Sequence, residues 1–275
     1  MPISKINTNK LKTVKMSKPT LLILAGGLGT RISEETHLKP KPMIEVGGKP
    51  ILWHIMKTYA AYGHNEFIVC LGYKGYMIKE YFLNYFKHNS DVTVDLQTND
   101  VTVHETNAEP FKVTLVDTGL ETMTGGRLKR VEKYVGNEPF LLTYGDGVCD
   151  IDMKAQLEFH KSHGKIATMS IVQPGSRFGM IEIDDNHSVK AFAEKPKEDG
   201  AWINGGFFIL NPEVFKYLHE DADDIMWERQ PLEDITADGE LMAYKHAGFW
   251  KCMDTLRDNQ QLNEMWEGNP KWKNW

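Results

Sequence analysis

The first clear feature along the chain is an uninterrupted apolar run, Leu21-Leu22-Ile23-Leu24-Ala25, that stops at Gly26-Gly27. Apolar at every position, it reads as a strand buried on both faces of a parallel sheet. After Pro50, the apolar residues Ile51, Leu52, Ile55, Met56 and Tyr59 fall at helical spacing, with the proline suited to a first turn and Gly63 to a stop. Phe67 to Leu71 is a second short apolar run, and Tyr76 to Lys87 reads as a second helix. The alternation continues through a strand near Val113 to Val116, a helix near Arg127 to Val135 and a strand at Phe140 to Thr143. Such alternation predicts βαβ units and a largely parallel sheet, with ligands at the carboxyl ends of its strands.

The second half is richer in short strands, at Ile166 to Val172, Met180 to Ile183, Val189 to Ala193 and Phe207 to Leu210. One helix is predicted after Pro212 and another from Asp254 to Met265; no internal repeat or low-complexity linker interrupts the pattern. The expected fold class is α/β: a single Rossmann-like domain over residues 19–275, with a mixed, mostly parallel central sheet flanked by helices, plus a smaller strand-rich portion. Residues 1–18 differ in character. They hold Lys5, Lys10, Lys12, Lys15 and Lys18 with no acid and no apolar run, so a secretory signal is excluded. The expectation there is a disordered basic leader, with Met16 as an alternative first residue; an organelle-type targeting segment is the competing reading, against which stands the absence of Arg.

Composition narrows the class of function. The 275 residues are 41% hydrophobic and 25% charged, enough for one substantial core. A net charge of -6 argues against a general nucleic-acid binder while leaving room for a local cluster of cations around a phosphate ligand. Cys70, Cys149 and Cys252 form no CxxC, which fits a reduced, cytoplasmic protein, and no HExxH offers a zinc site. No apolar stretch approaches the roughly 20 residues that span a bilayer, so no membrane partner is expected.

The chemistry starts at Gly26-Gly27-Leu28-Gly29-Thr30-Arg31, directly after the first strand. Glycines here let backbone N–H groups approach an anion, and a basic residue follows at once. A tight strand-to-helix turn is the plainer reading. The spacing is neither GxGxxG nor the GK[ST] of the common ATPase loop. Next comes Leu38-Lys39-Pro40-Lys41-Pro42, where two prolines hold the segment extended and fix the directions of two lysines. Alone it reads as a solvated basic turn; beside the glycine loop it becomes a second wall for a phosphate pocket.

Leu24-Ala25-Gly26-Gly27-Leu28-Gly29-Thr30-Arg31 followed by Lys39-Pro40-Lys41-Pro42 resembles the signature of the sugar-phosphate nucleotidyltransferases. Within that family, Arg31-Ile32-Ser33-Glu34-Glu35-Thr36 and Pro42 to His54 are similar to the branch that transfers a cytidylyl group to glucose 1-phosphate; thymidylyl- and uridylyl-transferring relatives usually carry a proline where Glu34-Glu35 stands. The resemblance runs from about Pro19 to the end of the chain. It implies CTP and glucose 1-phosphate as substrates, CDP-glucose for surface polysaccharide as product, Mg²⁺ as cofactor and a homo-oligomeric assembly.

The carboxylates follow from it. Asp146 sits in Tyr144-Gly145-Asp146-Gly147 at the end of a strand, where a turn-forming role is the commoner use of such an Asp. The resemblance implies that it binds the metal. Asp254, in Met253-Asp254-Thr255, reads from the residues as a helix N-cap; the resemblance implies the second metal ligand, and both roles can coexist. By the same likeness, Glu194 and Lys195 of Ala193-Glu194-Lys195-Pro196 hold the sugar hydroxyls and the sugar phosphate, although an exposed ion pair is the default for such neighbours. Gly179, in Arg177-Phe178-Gly179-Met180, and Asn204, in Trp202-Ile203-Asn204-Gly205-Gly206, match other parts of a sugar pocket in the strand-rich portion. The loop Thr118 to Arg127, with Thr122, Gly125, Gly126 and Arg127, is read as the base contact, against a flexible connection into a helix at Leu128.

The expected chemistry needs no general base, because a phosphate monoester with a second pKa of about 6 is already ionised at neutral pH. Leu24 to Arg31 would hold the triphosphate, and Lys41 with Lys195 would bring the sugar phosphate in line with the α-phosphorus. UTP or dTTP in place of CTP is the alternative substrate, and a non-catalytic nucleotide-sugar sensor the alternative class. The aromatic end of the chain, Trp266, Trp272 and Trp275, is either core or a subunit contact, with core packing the simpler reading.

Overall fold

The run Leu21–Ala25 (β1) lies at the centre of a seven-stranded sheet in the computed structural model, which describes residues 19–174, 180–183, 189–193, 201–219 and 222–275. The basic leader, Arg177, Gly179, Glu194 and Lys195 lie outside the described residues. The other strands are Glu66–Leu71 (β2), Lys112–Asp117 (β3), Phe140–Tyr144 (β4), Ala167–Val172 (β5), Ile203–Leu210 (β6) and Leu241–His246 (β7). They are ordered β7-β5-β6-β4-β1-β2-β3. Only β6 runs against its neighbours β4 and β5; the other four pairings are parallel, giving the mixed, mostly parallel sheet expected.

Two cores explain why the central strands are apolar throughout. In β1, Leu21, Ile23 and Ala25 enter one core, while Leu22 and Leu24 enter the other. Phe67, Val69 and Leu71 of β2 alternate in the same way with Ile68 and Cys70, as do Phe207 and Ile209 of β6 with Phe208 and Leu210. A two-residue period sends successive side chains to opposite faces, so burial of both faces favours an apolar residue at each step.

The helix Ile51–Ala60 buries eight of its ten residues, because the sheet covers one side and the C-terminal tryptophans the other. Trp272 is fully buried and stacks with Phe249, while Trp275 meets Trp53 edge-on at 5.8 Å. Trp272 belongs to the core, and the partly buried Trp266 and Trp275 pack against it.

Three boundaries differ from expectation. The helix placed near Arg127 begins earlier, spanning Thr124–Arg130, so Gly125 and Gly126 are helical and not part of a loop. A Cβ on Gly125 would stand 2.7 Å from the Ile225 carbonyl, which is why a poor helix former occupies that turn. The segment after Pro212 is a 3₁₀ turn, Pro212–Tyr217. The last helix spans Leu256–Glu267 and is capped by Thr255, whose hydroxyl accepts from the Asp258 N–H while the Asp258 carboxylate accepts from the Thr255 N–H. The N-cap role read for Asp254 belongs to Thr255, and the Asp254 carboxylate is left for other partners.

His54 is fully buried, with Nε2–H donating to the Val46 carbonyl at 2.8 Å and Nδ1 accepting from the Trp272 indole N–H at 3.4 Å. A carbonyl can only accept and an indole N–H can only donate, so the tautomer is fixed and a second proton would displace Trp272. Burial pushes the imidazole down from 6.5 to about 4. The unfolded chain therefore takes up this proton first. Its contribution to stability is complete above pH 6.5 and falls by about 3 kcal/mol as pH drops towards 4. Urea unfolding at pH 7.5 and 4.5 should show a smaller loss for His54→Gln than for the native chain; equal losses would contradict this assignment.

Candidate active site

The sheet topology explains why distant parts of the chain meet. β1 lies between β2 and β4, so the loop after β1 sits beside the one after β4, and the Gly145 N–H donates to the Leu24 carbonyl at 3.0 Å. β6 is antiparallel to β4, which puts its first residues, Ile203 to Gly206, next to the end of β4; the Thr143 hydroxyl donates to the Gly206 carbonyl at 2.9 Å. The strand Gly147–Cys149 pairs antiparallel with Trp250–Cys252, and the Met253 N–H donates to the Asp146 carbonyl. Asp146 and Asp254 thus become neighbours.

The glycine loop forms one wall of a cavity of about 340 Å³. Gly29 has φ of 67°, and a Cβ there would stand 2.7 Å from Thr36 Cγ2, so both conformation and space require glycine. Gly27 faces open space, with its backbone accessible to a ligand. Leu24, Ala25, Gly26, Gly27, Gly29, Thr30 and Arg31 line the cavity together with Lys41, Thr122, Arg127 and Asp146. Leu28 points outward at 47% exposure, and Gly126 is buried in the helix without reaching the cavity.

Arg127 has a more specific placement than an open basic wall. The residue is 4% exposed, and its guanidinium donates to the carbonyls of Gly26, Leu71, Gly119 and Leu120 and to the Thr118 hydroxyl, at 2.7–3.1 Å. Its Nη groups tie the glycine loop to the ends of β2 and β3, while the residue also lines the cavity.

The two lysines of the proline segment part company. Lys39 pairs with Glu45 at the surface, whereas Lys41 is buried in the short 3₁₀ turn Lys41–Met43. The Lys41 Nζ donates to Asp146 Oδ2 at 2.5 Å and to Asp254 Oδ1 at 2.7 Å, bridging positions 105 and 213 residues away. Arg31, 71% exposed, reaches the remaining Asp254 oxygen at 2.7 Å. Burial alone would raise the Asp254 carboxyl, yet Lys41 and Arg31 hold it below the usual carboxylate range. Burial likewise works against the Lys41 ammonium, and the two carboxylates hold it above its ordinary value. Cys252, beside this pair, has its thiol pushed up to about 12 by burial and by Asp254 and Asp146, so it is a neutral thiol and not a nucleophile at pH 7.

Two carboxylates converging on one positive group offer hard oxygen ligands to a divalent cation. Among the described residues no third acid, His or Cys completes a protein cage. That donor set suits Mg²⁺, which commonly takes one or two carboxylates and completes its shell with phosphate oxygens and water.

A second cavity of about 340 Å³ adjoins the first and shares Arg31, Tyr144 and Asp146 with it. Asn204, Gly205 and Gly206 line it beside Asp254, as does Trp250, whose indole N–H donates to the Gly205 carbonyl. Gly206 has φ of 81°, and a Cβ would stand 2.6 Å from the Tyr144 ring. Sequence reasoning did not single out Tyr144 or Glu228. The Glu228 carboxylate accepts from the Thr124 hydroxyl, a lining residue of the first cavity, and from the Tyr144 hydroxyl at the shared wall. Tyr144 directly precedes Gly145-Asp146 and was readable as a neighbour of that motif; Glu228 carries no local signal, because tertiary pairing alone brings it in.

The sequence model of the nucleotidyl transferase family matches residues 20–255. The glucose-1-phosphate cytidylyltransferase of Salmonella typhi is 58% identical over 256 residues, covering 92% of this chain and 98% of that protein. The mannose-1-phosphate guanyltransferase of Hypocrea jecorina is 30% identical over 245 residues, covering 86% of this chain and 61% of that one. Among solved structures, HddC from Yersinia pseudotuberculosis is 26% identical with a TM-score of 0.66, covering 90% of this chain and all of that one.

Removing the Arg127 side chain strips the partly buried Gly119 and Leu120 carbonyls of its hydrogen bonds and unties the glycine loop from the strand ends. The Gly26 and Leu71 carbonyls keep the Tyr73 N–H and Thr118. Arg127→Met should lose about 3 kcal/mol or more in urea unfolding, and Arg127→Lys should recover only part of it, since one ammonium cannot span both loops. A loss below about 0.5 kcal/mol for Arg127→Met would contradict the clamp.

Proposed function

This chain belongs to the nucleotidyl transferase family, and we propose from that premise that it moves a cytidylyl group from CTP to α-D-glucose 1-phosphate, giving CDP-glucose and pyrophosphate. The observation that carries the reading is the 58% identity to a glucose-1-phosphate cytidylyltransferase across nearly the whole of both chains. The guanyltransferase relative, of different sugar and base, stands at 30%.

The geometry supports the reaction class independently. Two adjoining cavities meet at Asp146 and Arg31, as a transfer between two bound phosphorylated substrates requires. The first, walled by the glycine loop and closed by Thr122 and Thr124, is assigned to the nucleotide. The second, lined by Asn204, Gly205, Glu228 and Trp250, is assigned to the hexose. Neither cavity is lined by a histidine among the described residues, and Cys252 is protonated. A phosphate monoester is ionised at neutral pH and attacks without a base.

In this reading Asp146 and Asp254 would hold Mg²⁺, whose charge would neutralise the α-phosphoryl region. The loop amides from Gly26 to Thr30 and the Arg31 guanidinium bind the triphosphate and its pyrophosphate leaving group. Lys41 offers a positive charge where the two sets of phosphates approach, and Arg127 keeps the loop in place. The chain's work is to orient two polyanions in line and to cancel their mutual repulsion.

Pyrophosphate release assayed across CTP, UTP, dTTP, ATP and GTP with glucose 1-phosphate and mannose 1-phosphate should peak at CTP with glucose 1-phosphate. Asp146→Asn should lower kcat for that pair by about 10²–10³-fold. A peak at another pair would overturn the substrate assignment, and an unaffected Asp146→Asn enzyme would overturn the site.

A further inference from the structure

Every oxygen of Asp254 already has a donor: Oδ1 takes the Lys41 ammonium, while Oδ2 takes Arg31 at 2.7 Å and the Cys252 thiol at 3.4 Å. Asp146 Oδ2 takes the same Lys41 nitrogen. A cation bridging Asp146 Oδ2 and Asp254 Oδ1 would have to displace Lys41, and Lys41 is only 8% exposed. The freed ammonium would lose both of its carboxylate partners, a costly change for a partly buried charge.

From this geometry, and resting on the reading of Asp146 and Asp254 as metal ligands, we propose that Lys41 is the resident cation of the carboxylate pair. It excludes a divalent ion arriving alone and yields to one that arrives with a nucleoside triphosphate. Lys41 and Arg31 both line the cavity assigned to the triphosphate, so its phosphate oxygens supply the acceptors that Lys41 gives up. The flexible four-carbon stem lets Nζ swing from carboxylate to phosphate without backbone movement. One side chain thereby couples ion entry to nucleotide entry, and by linkage each raises the affinity for the other. Lys41 also keeps two neighbouring carboxylates together while no ion is present, which like charges at that distance would otherwise resist.

The test is binding of Mn²⁺ to the full chain without nucleotide, followed by the paramagnetic signal of the free ion. The native chain should bind it weakly. Lys41→Met should bind it at least about tenfold more tightly, since a competing positive charge has been removed, while Lys41→Arg should bind no better than the native chain. Lys41→Gln, which keeps hydrogen-bond donors but no charge, gives the same comparison if Lys41→Met fails to fold. Adding Asp146→Asn to Lys41→Met should abolish the gain. The proposal is overturned if neither uncharged variant binds Mn²⁺ more tightly, or if the gain survives Asp146→Asn. A parallel titration with CTP present separates the two levels. If the native chain binds Mn²⁺ with CTP yet the uncharged variants gain nothing alone, the proposal fails and the nucleotidyl-transfer reading stands. If CTP brings in no Mn²⁺ at all, the reading of the carboxylates fails with it.

Discussion

One ammonium group between two carboxylates holds this site together. Lys41 joins Asp146, at the end of a central strand, to Asp254, just before the last helix, and Arg31 extends the chain of charges to the glycine loop. Each partner comes from a different part of the sequence. The pairing of Gly147–Cys149 with Trp250–Cys252 sets the two acids side by side, and the 3₁₀ turn after Pro40 carries Lys41 inward. Without a cation there, the fold would press two negative charges together in a partly buried place.

The same arrangement accounts for how catalysis can proceed with so few specialised groups. The attacking oxygen and the leaving pyrophosphate both carry charge before the reaction begins, so the difficulty is bringing them together and not generating a nucleophile. Arg31, Tyr144 and Asp146 form the wall common to the two cavities, and Glu228 ties Tyr144 to Thr124 across them. Behind that wall Arg127 fixes the glycine loop to the strand ends. Arg127 therefore both supports the loop and lines the cavity.

Much of this was legible in the chain itself, and the exceptions have physical reasons. β1, β2 and β4 could be read directly because both their faces are buried and each carries a run of at least three apolar residues. The helix Met153–His163 could not, because the side chains it buries include Gln156 and His160, whose polar atoms are satisfied by Ser170, Thr168 and Asn211. Gly125 and Gly126 suggested a loop, since nothing local reveals that Ile225 leaves no room for a side chain. The first loop, Lys41 and Asp146 were singled out through the family resemblance, since the residues alone also read as a tight turn, a solvated basic turn and a turn-forming Asp. The structure brings them to one cavity. Asp254 looked like a helix cap until the capping box of Thr255 and Asp258 took that role. Glu228 was invisible because tertiary pairing alone brings it to the cavity wall.

The claim most exposed to test is that Lys41 and Asp254 act as one unit. A double-mutant cycle on Lys41→Met and Asp254→Asn, read by urea unfolding of the ligand-free chain, measures it. The account predicts strong non-additivity: once either partner is gone, removing the other should do little further harm, with a coupling above about 1 kcal/mol. Losses that add within about 0.5 kcal/mol would mean that the two groups are neighbours without being partners, and the central interaction would be lost.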